Sequence, residues 1–169
     1  MIALKKILVA TDFSEPSDAA LAYGRELARN FAAQLIALHV VENVLVRAVG
    51  GDGFVFIDPE LQTNIETAAK KQVDELLSDE DRTLLRAESL TLTSNAPAYA
   101  IAEYAKSHDV NLIVIGTHGR GAMAHLLLGS VAERVVRIAP CPVLTVRHPE
   151  REFVVSDALI AVVNATRPL

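Results

Sequence analysis

Apolar residues follow two rhythms along this chain. Short unbroken runs such as Ile7-Leu8-Val9, Leu112-Ile113-Val114-Ile115 and Val143-Leu144-Thr145-Val146 alternate with stretches where apolar positions recur every three or four residues. Unbroken runs suit strands of a parallel sheet covered on both faces, since neither side meets water. The pattern predicts strands over Lys5 to Thr11, Gln34 to Val41, Leu84 to Thr93, Leu112 to Ile115 and Val143 to Val146. Helical spacing predicts a first helix from Ser14 or Ser17 to Phe31, with Ala20, Leu21, Gly24, Leu27, Ala28 and Phe31 on one face. A second helix is expected from Asp58-Pro59 to about Ser78, with proline at its first helical position. Asn95-Ala96-Pro97 opens a third, in which Ala98, Ile101, Ala102 and Ala105 repeat. The fourth runs from Ser130 to Ala139 with Val131, Val135 and Ile138 inward. Glu42 to Asn64 keeps neither rhythm and reads as a long irregular connection, with Gly50-Gly51 and Gly53 inside it.

Five strands alternating with helices predict a doubly wound, Rossmann-like α/β fold, a five-stranded parallel sheet with helices on both faces. Right-handed crossovers with one reversal of direction predict the strand order 3-2-1-4-5. In that order the first and fourth strands are neighbours, and a crevice opens at their carboxyl ends. Thr11-Asp12 then stands on one lip and Gly116 on the other.

The gross numbers change this picture little. At 169 residues the chain fits one domain. Hydrophobic residues make up 51%, yet no run approaches the length of a membrane span. The first residues, Met1-Ile2-Ala3-Leu4-Lys5-Lys6, lack the order of a signal peptide, so a cytoplasmic protein is expected. The single cysteine, Cys141, excludes an internal disulfide and reads as a small buried hydrophobe. A net charge of −5 without a basic stripe argues against nucleic acid as a partner.

Chemistry concentrates between Gly116 and Ser130. Gly116-Thr117-His118-Gly119, then nine residues, then Gly129-Ser130 follows an apolar strand and leads into a helix. Strand, glycine loop and helix N-terminus in succession offer backbone N–H groups to phosphate oxygens. Ser130 with Glu133 three residues on has the spacing of a capping box. No Gly-Lys-[Ser/Thr] follows, so this is not a P-loop, and G-x-G-x-x-G after the first strand is also absent. Asp12 reads either as a turn residue or as a carboxylate accepting from an adenine amine or a sugar hydroxyl. Arg120 reads either as a phosphate partner or as a solvated charge. A phospho-acceptor receiver is excluded, because the third strand ends Thr91-Leu92-Thr93 and the fifth in Arg147, where such domains need aspartate and lysine. His118 and His125 lie near the loop without cysteine or carboxylate at ligand spacing, which speaks against zinc. His39, inside an apolar strand, is expected to be a satisfied core histidine. No nucleophile elbow or Ser-His-Asp arrangement appears.

Four stretches together resemble the nucleotide-binding branch of the universal stress protein family. They are Lys5 to Ser14, Leu38-His39-Val40-Val41-Glu42, Gly116 to Val131, and Ala139-Pro140-Cys141-Pro142 through Arg147. The glycine pattern matches that family's Gly-x-x-Gly-x9-Gly-[Ser/Thr] signature without a gap. The resemblance implies that Asp12 and the backbone of Val40 hold adenine, with Ala10 and Thr11 beside them. It implies Ile115, Gly116 and Gly119 along the ribose and first phosphates, near His118 and Arg120. Gly129, Ser130 and Val131 would take the outer phosphates of ATP (or of AMP or ADP), with Mg²⁺ bridging the phosphates. It also implies a homodimer paired through the fifth strands. Asn95-Ala96 replaces the family's usual glycine after the third strand and is expected to lie off the site.

Domain organisation follows. Residues 1–148 form the nucleotide-binding domain, and 149–169, with Phe153-Val154-Val155 and Ala158 to Val163, form an apolar extension expected to pack on the body or on a partner subunit. An ATP-binding stress-response module is the leading functional reading, with neither a nucleic acid nor a membrane as partner. The alternatives are a slow Mg²⁺-dependent ATP hydrolase, with His118 the residue nearest to a water positioner, and a nucleotide-free dimeric scaffold. No catalytic residue and no protein-held metal are expected.

Overall fold

A computed structural model describes residues 2–47, 59–117 and 129–147. Among these, the elements run β1 (Lys6–Thr11), α1 (Glu15–Phe31), β2 (Gln34–Val41), α2 (Val44–Arg47), α3 (Pro59–Glu75), α4 (Asp79–Leu84), β3 (Glu88–Thr93), α5 (Pro97–Ser107), β4 (Leu112–Gly116), α6 (Ser130–Ile138) and β5 (Val143–Val146). The sheet order is β3-β2-β1-β4-β5 with every neighbouring pair parallel, the doubly wound arrangement expected from the sequence. In β1, Ala10 sits opposite Leu38 of β2 and Ile115 of β4, which fixes the register at the carboxyl end of the sheet.

Side-chain alternation along β1 explains why its apolar run is unbroken. Ile7 and Val9 face a layer in which Ala20, Leu21 and Ala28 of α1 meet Val73 of α3 and Leu77. Leu8 and Ala10 face the opposite layer, with Ala98, Ile101 and Ala105 of α5 and Ala132 and Val135 of α6. Ile7, Leu8 and Val9 have no solvent exposure. Each such side chain contributes about 1.5–3 kcal/mol of burial relative to an exposed position.

The capping residues set where α1 begins and ends. Ser14 is the N-cap: its N–H donates to the Ser17 hydroxyl (3.0 Å), which in turn donates to the Ser14 carbonyl (2.8 Å). This resolves the choice between Ser14 and Ser17, because both belong to the same cap. At the other end Ala32 takes a left-handed conformation (φ 52°), and Ala33 N–H returns to the Ala28 carbonyl at 2.9 Å. The Ala32 N–H also returns to the Ala28 and Arg29 carbonyls, and together these bonds satisfy carbonyls that the last turn leaves open. Phe31, expected on the same face as Ala28, is 40% exposed, because it is the last helical residue and ends beyond the cover of the sheet.

Three stretches depart from the sequence-based expectation. The strand expected from Leu84 starts only at Glu88, because residues 79–84 form α4. The Ser78 hydroxyl accepts from Asp81 N–H (3.1 Å) and Ser78 N–H donates to Asp81 Oδ2 (3.0 Å), a reciprocal cap with an acidic first turn. Asp81 is buried and also receives Arg25 Nε at 3.0 Å, so one carboxylate anchors α4 to α1. Helix α3 starts at Pro59 as expected but stops at Glu75, where Leu76 and Leu77 close tighter turns onto Val73 and Asp74. The segment 42–64, expected to be irregular, contains α2 and the start of α3. Residues 48–58 within it, the extension 149–169 and the loop 118–128 lie outside the described residues.

Helix α1 lies close to the sheet because position 24 carries no side chain. A Cβ there would sit 2.4 Å from Val9 Cγ2 and 3.4 Å from Leu35 Cδ1. Val9 is fully buried and has no room to retreat. Gly24→Ala is therefore expected to lower unfolding free energy by about 1–2 kcal/mol, despite alanine's better helix propensity. Urea denaturation followed by circular dichroism measures this, and an unchanged or raised midpoint would refute the close-approach account.

Candidate functional site

At the carboxyl end of the sheet, the chain leaves β1 through a turn held mostly by its own side chains. Thr11 Oγ1 accepts from Phe13 N–H (3.0 Å) and lies 3.1 Å from the Ser17 hydroxyl. Asp12 Oδ1 accepts from Ser14 N–H (3.3 Å) and from the Ser14 hydroxyl (2.5 Å). Of the two readings open for Asp12, the turn role is therefore present. Phe13 holds a left-handed φ of 63°, which its ring stabilises by packing on His39 with centroids 4.5 Å apart. His39 is half-buried, and its Nδ1 lies 2.8 Å from the Thr11 carbonyl. A hydrogen bond there requires the proton on Nδ1, which satisfies the ring as expected of a core histidine.

Ala10 and Ile115 are buried beneath α5 and α6, and Val40 packs partly buried on the same face. Gly116 ends β4 next to them. A Cβ at Gly116 would come within 2.8 Å of both the carbonyl carbon and the carbonyl oxygen of Pro16, in the first turn of α1. The glycine is thus demanded by helix packing, whatever else approaches it. Thr117 N–H donates to the Val146 carbonyl (2.7 Å), and the Thr117 carbonyl accepts from Gly129 N–H (2.6 Å). The chain therefore returns at Gly129 to the point from which it departs at Thr117. His118, Gly119 and Arg120, three of the expected site residues, lie outside the described residues.

The expected capping box at α6 is not formed. Gly129 is the N-cap, its carbonyl accepts from Glu133 N–H (2.9 Å), and no side chain caps this end. Ser130 is the first helical residue, one position too late for its hydroxyl to cap. Glu133 instead pairs with Arg137 one turn on, at 2.8 Å. The Ser130 hydroxyl has no hydrogen-bond partner among the described residues and is exposed. Helix α5 begins the same way: Ala96 is its N-cap, without a side-chain bond, and Pro97 follows.

These two bare N-termini flank one cleft of about 600 Å³. Asn95 to Tyr99 form one wall, and Ser130, Val131, Glu133, Arg134 and Arg137 form the other. Of the expected site residues, Ser130 and Val131 line it. Ala10, Val40 and Ile115 lie in the layer beneath α5 and α6, and Asp12 stands at the end of β1. Asn95-Ala96, expected to lie off the site, is part of this cleft's lining. Asn95 has a structural cause to be there: its Oδ1 accepts from Asn43 N–H (2.7 Å) and its Nδ2 donates to the Asn43 carbonyl (3.1 Å). Gln62 braces the same loop by accepting from Val44 N–H (2.9 Å), and its amide donates to Glu66 (2.8 Å). The Thr93 hydroxyl and that amide hold the Glu66 carboxyl below its usual pKa. Tyr99, Arg134 and Arg137 are further lining residues that the sequence reading missed. The spacing of positions 130, 134 and 137 along one helical face was the available clue.

At the opposite, amino end of the sheet, Cys141 is half-buried just before β5, and desolvation raises its thiol pKa. That suits a packing residue better than a reactive one. Among the described residues, no group of His, Cys, Asp and Glu is arranged to hold a metal ion, and no helix is long and apolar enough to cross a membrane.

The fold and the cleft together define a doubly wound α/β domain whose helix N-termini open on a shared cavity. The chain belongs to the universal stress protein family, whose sequence model matches residues 3–147. A universal stress protein of Methanocaldococcus jannaschii (MJ0531) is 34% identical over 148 residues, covering 88% of this chain and 85% of that protein. Among solved structures, UspA from Lactobacillus plantarum superposes with a TM-score of 0.69 at 26% identity, covering 87% of this chain and all of that one. Two more distant structures share the fold. One is a universal stress protein in complex with cAMP, with TM-score 0.55 and 23% identity, covering 86% of this chain and 98% of that one. The other is an Archaeoglobus fulgidus protein in complex with dAMP, with TM-score 0.50 and 21% identity, covering 86% and 99%.

Gly116→Ala separates packing from ligand contact at the best-placed glycine. We expect the ligand-free protein to lose about 1–3 kcal/mol of stability, because the new methyl meets Pro16 backbone rather than a movable side chain. Thermal unfolding in nucleotide-free buffer measures it; full stability there would assign the glycine to ligand approach alone.

Proposed function

We propose that this chain is an adenine-nucleotide-binding module of the universal stress protein family, taking ATP at the carboxyl end of its sheet. The carrying observation is the cleft between α5 and α6, where two helix N-termini without side-chain caps and the Ser130 hydroxyl, without a partner among the described residues, line one cavity. N–H groups, a hydroxyl and the positive ends of two helix dipoles are a donor set for phosphate oxygens. The partly buried Val40, backed by the buried Ala10 and Ile115, supplies an apolar setting for a flat base, and the Asp12 carboxyl an acceptor for its amine or for a ribose hydroxyl. The family neighbours that carry cAMP and dAMP support the same ligand class.

A divalent cation such as Mg²⁺ fits this reading only as a bridge between phosphates. Glu133, the carboxylate at the cleft, is already paired with Arg137. When bound, the ion would supply charge neutralisation, while the chain's own donors position the phosphate oxygens. Residues 1–148 form the binding domain in this proposal, and 149–169 an apolar extension that packs on the body or on a second copy. The half-buried outer strand β5, with Val143, Leu144 and Thr145, is the edge a second copy would pair with.

Acid extraction of the purified protein, followed by chromatography, is expected to release an adenine nucleotide. In the nucleotide-stripped protein, Ser130→Ala is expected to weaken ATP binding by about 1 kcal/mol, near fivefold, without changing thermal stability. Titration calorimetry reads both affinities. No nucleotide on extraction together with an unchanged affinity in the variant would refute the proposal.

A further inference from the structure

The cleft contains a cation, Arg134, that no carboxylate among the described residues pairs. Arg134 lies one turn beyond Ser130 on the same face of α6, and Arg137 nearly another turn on. Arg137 is engaged by Glu133 at 2.8 Å. Arg134 makes no ion pair or hydrogen bond among the described residues. Its guanidinium reaches across the cleft instead, with Cζ 5.4 Å from the ring centroid of Tyr99 on α5. Tyr99 is itself 53% exposed, a large aromatic held at the surface where core packing does not require it.

That geometry leaves the chemistry of the guanidinium available. A cation over an aromatic face is held by the ring's negative quadrupole within about 6 Å, so the contact fixes the side chain's position. The N–H donors lie in the guanidinium plane and remain free at its edge, in the fork that matches two oxygens of one phosphate. With a rise of about 1.5 Å per residue, Arg134 is set about 6 Å along the helix from Ser130. A phosphate chain anchored at the α6 N-terminus and running along this face therefore passes from the Ser130 hydroxyl to Arg134.

Building on the nucleotide-binding reading, we propose that Arg134, positioned by Tyr99, is the clamp for the distal phosphates. It makes the cleft select nucleoside triphosphates over monophosphates. Arg137 plays a lesser part because Glu133 already neutralises it. The site thereby discriminates by the length of the phosphate chain, which is what a protein reporting on the phosphorylation state of an adenine nucleotide pool requires.

Titration calorimetry of the full chain with ATP and with AMP, at low and moderate salt, tests this. Arg134→Ala is expected to reduce the ratio of ATP to AMP affinity about tenfold, the worth of a charge-assisted contact. Arg134→Lys should fall between, keeping the charge and losing the fork, and Tyr99→Leu should reduce the ratio about threefold by freeing the guanidinium. Added salt should erode the ratio more in the unsubstituted protein than in Arg134→Ala. A ratio that stays within twofold in Arg134→Ala, while the unsubstituted protein binds both nucleotides, overturns the clamp and leaves the nucleotide-binding reading standing. If the unsubstituted protein binds neither nucleotide, that reading falls and takes the clamp with it. Circular dichroism of each variant shows that an altered ratio is not an unfolded protein.

Discussion

Strand β1 is hydrogen-bonded to β2 on one side and to β4 on the other, and it is covered above and below by helices. Everything at the candidate site depends on that double confinement. A strand with no solvent-facing side admits only one register with each neighbour, because a slip by one residue would exchange its two faces. The register sets Ala10 opposite Ile115 and Leu38, which brings the exits of β1 and β4 side by side. The crossover before β1's neighbours reverses direction at that point, so the two exits diverge and open a space that no loop has to fill. The site is thus a consequence of topology before any functional residue is considered.

Much of this could be read from the chain, and the reasons are specific. Continuous apolar runs identify parallel strands because burial on both faces abolishes alternation, and β2 and β5 were bounded correctly on that ground. Helix α4 escaped because its signal is local and polar. Asp79-Glu80-Asp81 looks like a solvated charge run, and only the reciprocal bonds with Ser78 and the ion pair to Arg25 turn it into a capped, anchored helix. The capping box at Ser130 failed for a related reason. Spacing alone permits Ser130 or Gly129 as the N-cap; the bond from Gly129 N–H to the Thr117 carbonyl favours Gly129 by tying it to the end of β4. The place of Asn95 beside the cleft was not legible because its partner, Asn43, is remote in sequence.

The glycine pattern also divides once contacts are known. Gly116 is required by the backbone of Pro16, which approaches so closely that any side chain would displace the first turn of α1. Gly129 has an ordinary extended conformation (φ −69°, ψ 152°), so no left-handed backbone demands it. What its lack of a side chain does is leave the α6 N-terminus without a cap of its own. Bare amide groups at a helix start are normally satisfied by a neighbouring side chain or by water. Two signature glycines thus act through different physics, one by packing and one by leaving donors open.

A phosphate-binding reading must also meet the electrostatics, since the chain carries a net charge of −5. Self-repulsion would disfavour a polyanion if charge were spread evenly, but a cleft responds to the field within about a Debye length. Among the described residues that line the cleft, the one carboxylate, Glu133, is matched by Arg137. The remaining contributions, Arg134 and the positive ends of α5 and α6, all carry the same sign. The local potential therefore opposes the global one. The net charge of −5 is therefore compatible with the proposed binding of a nucleotide, because the cleft's own charges and dipoles set the field that a phosphate chain would meet.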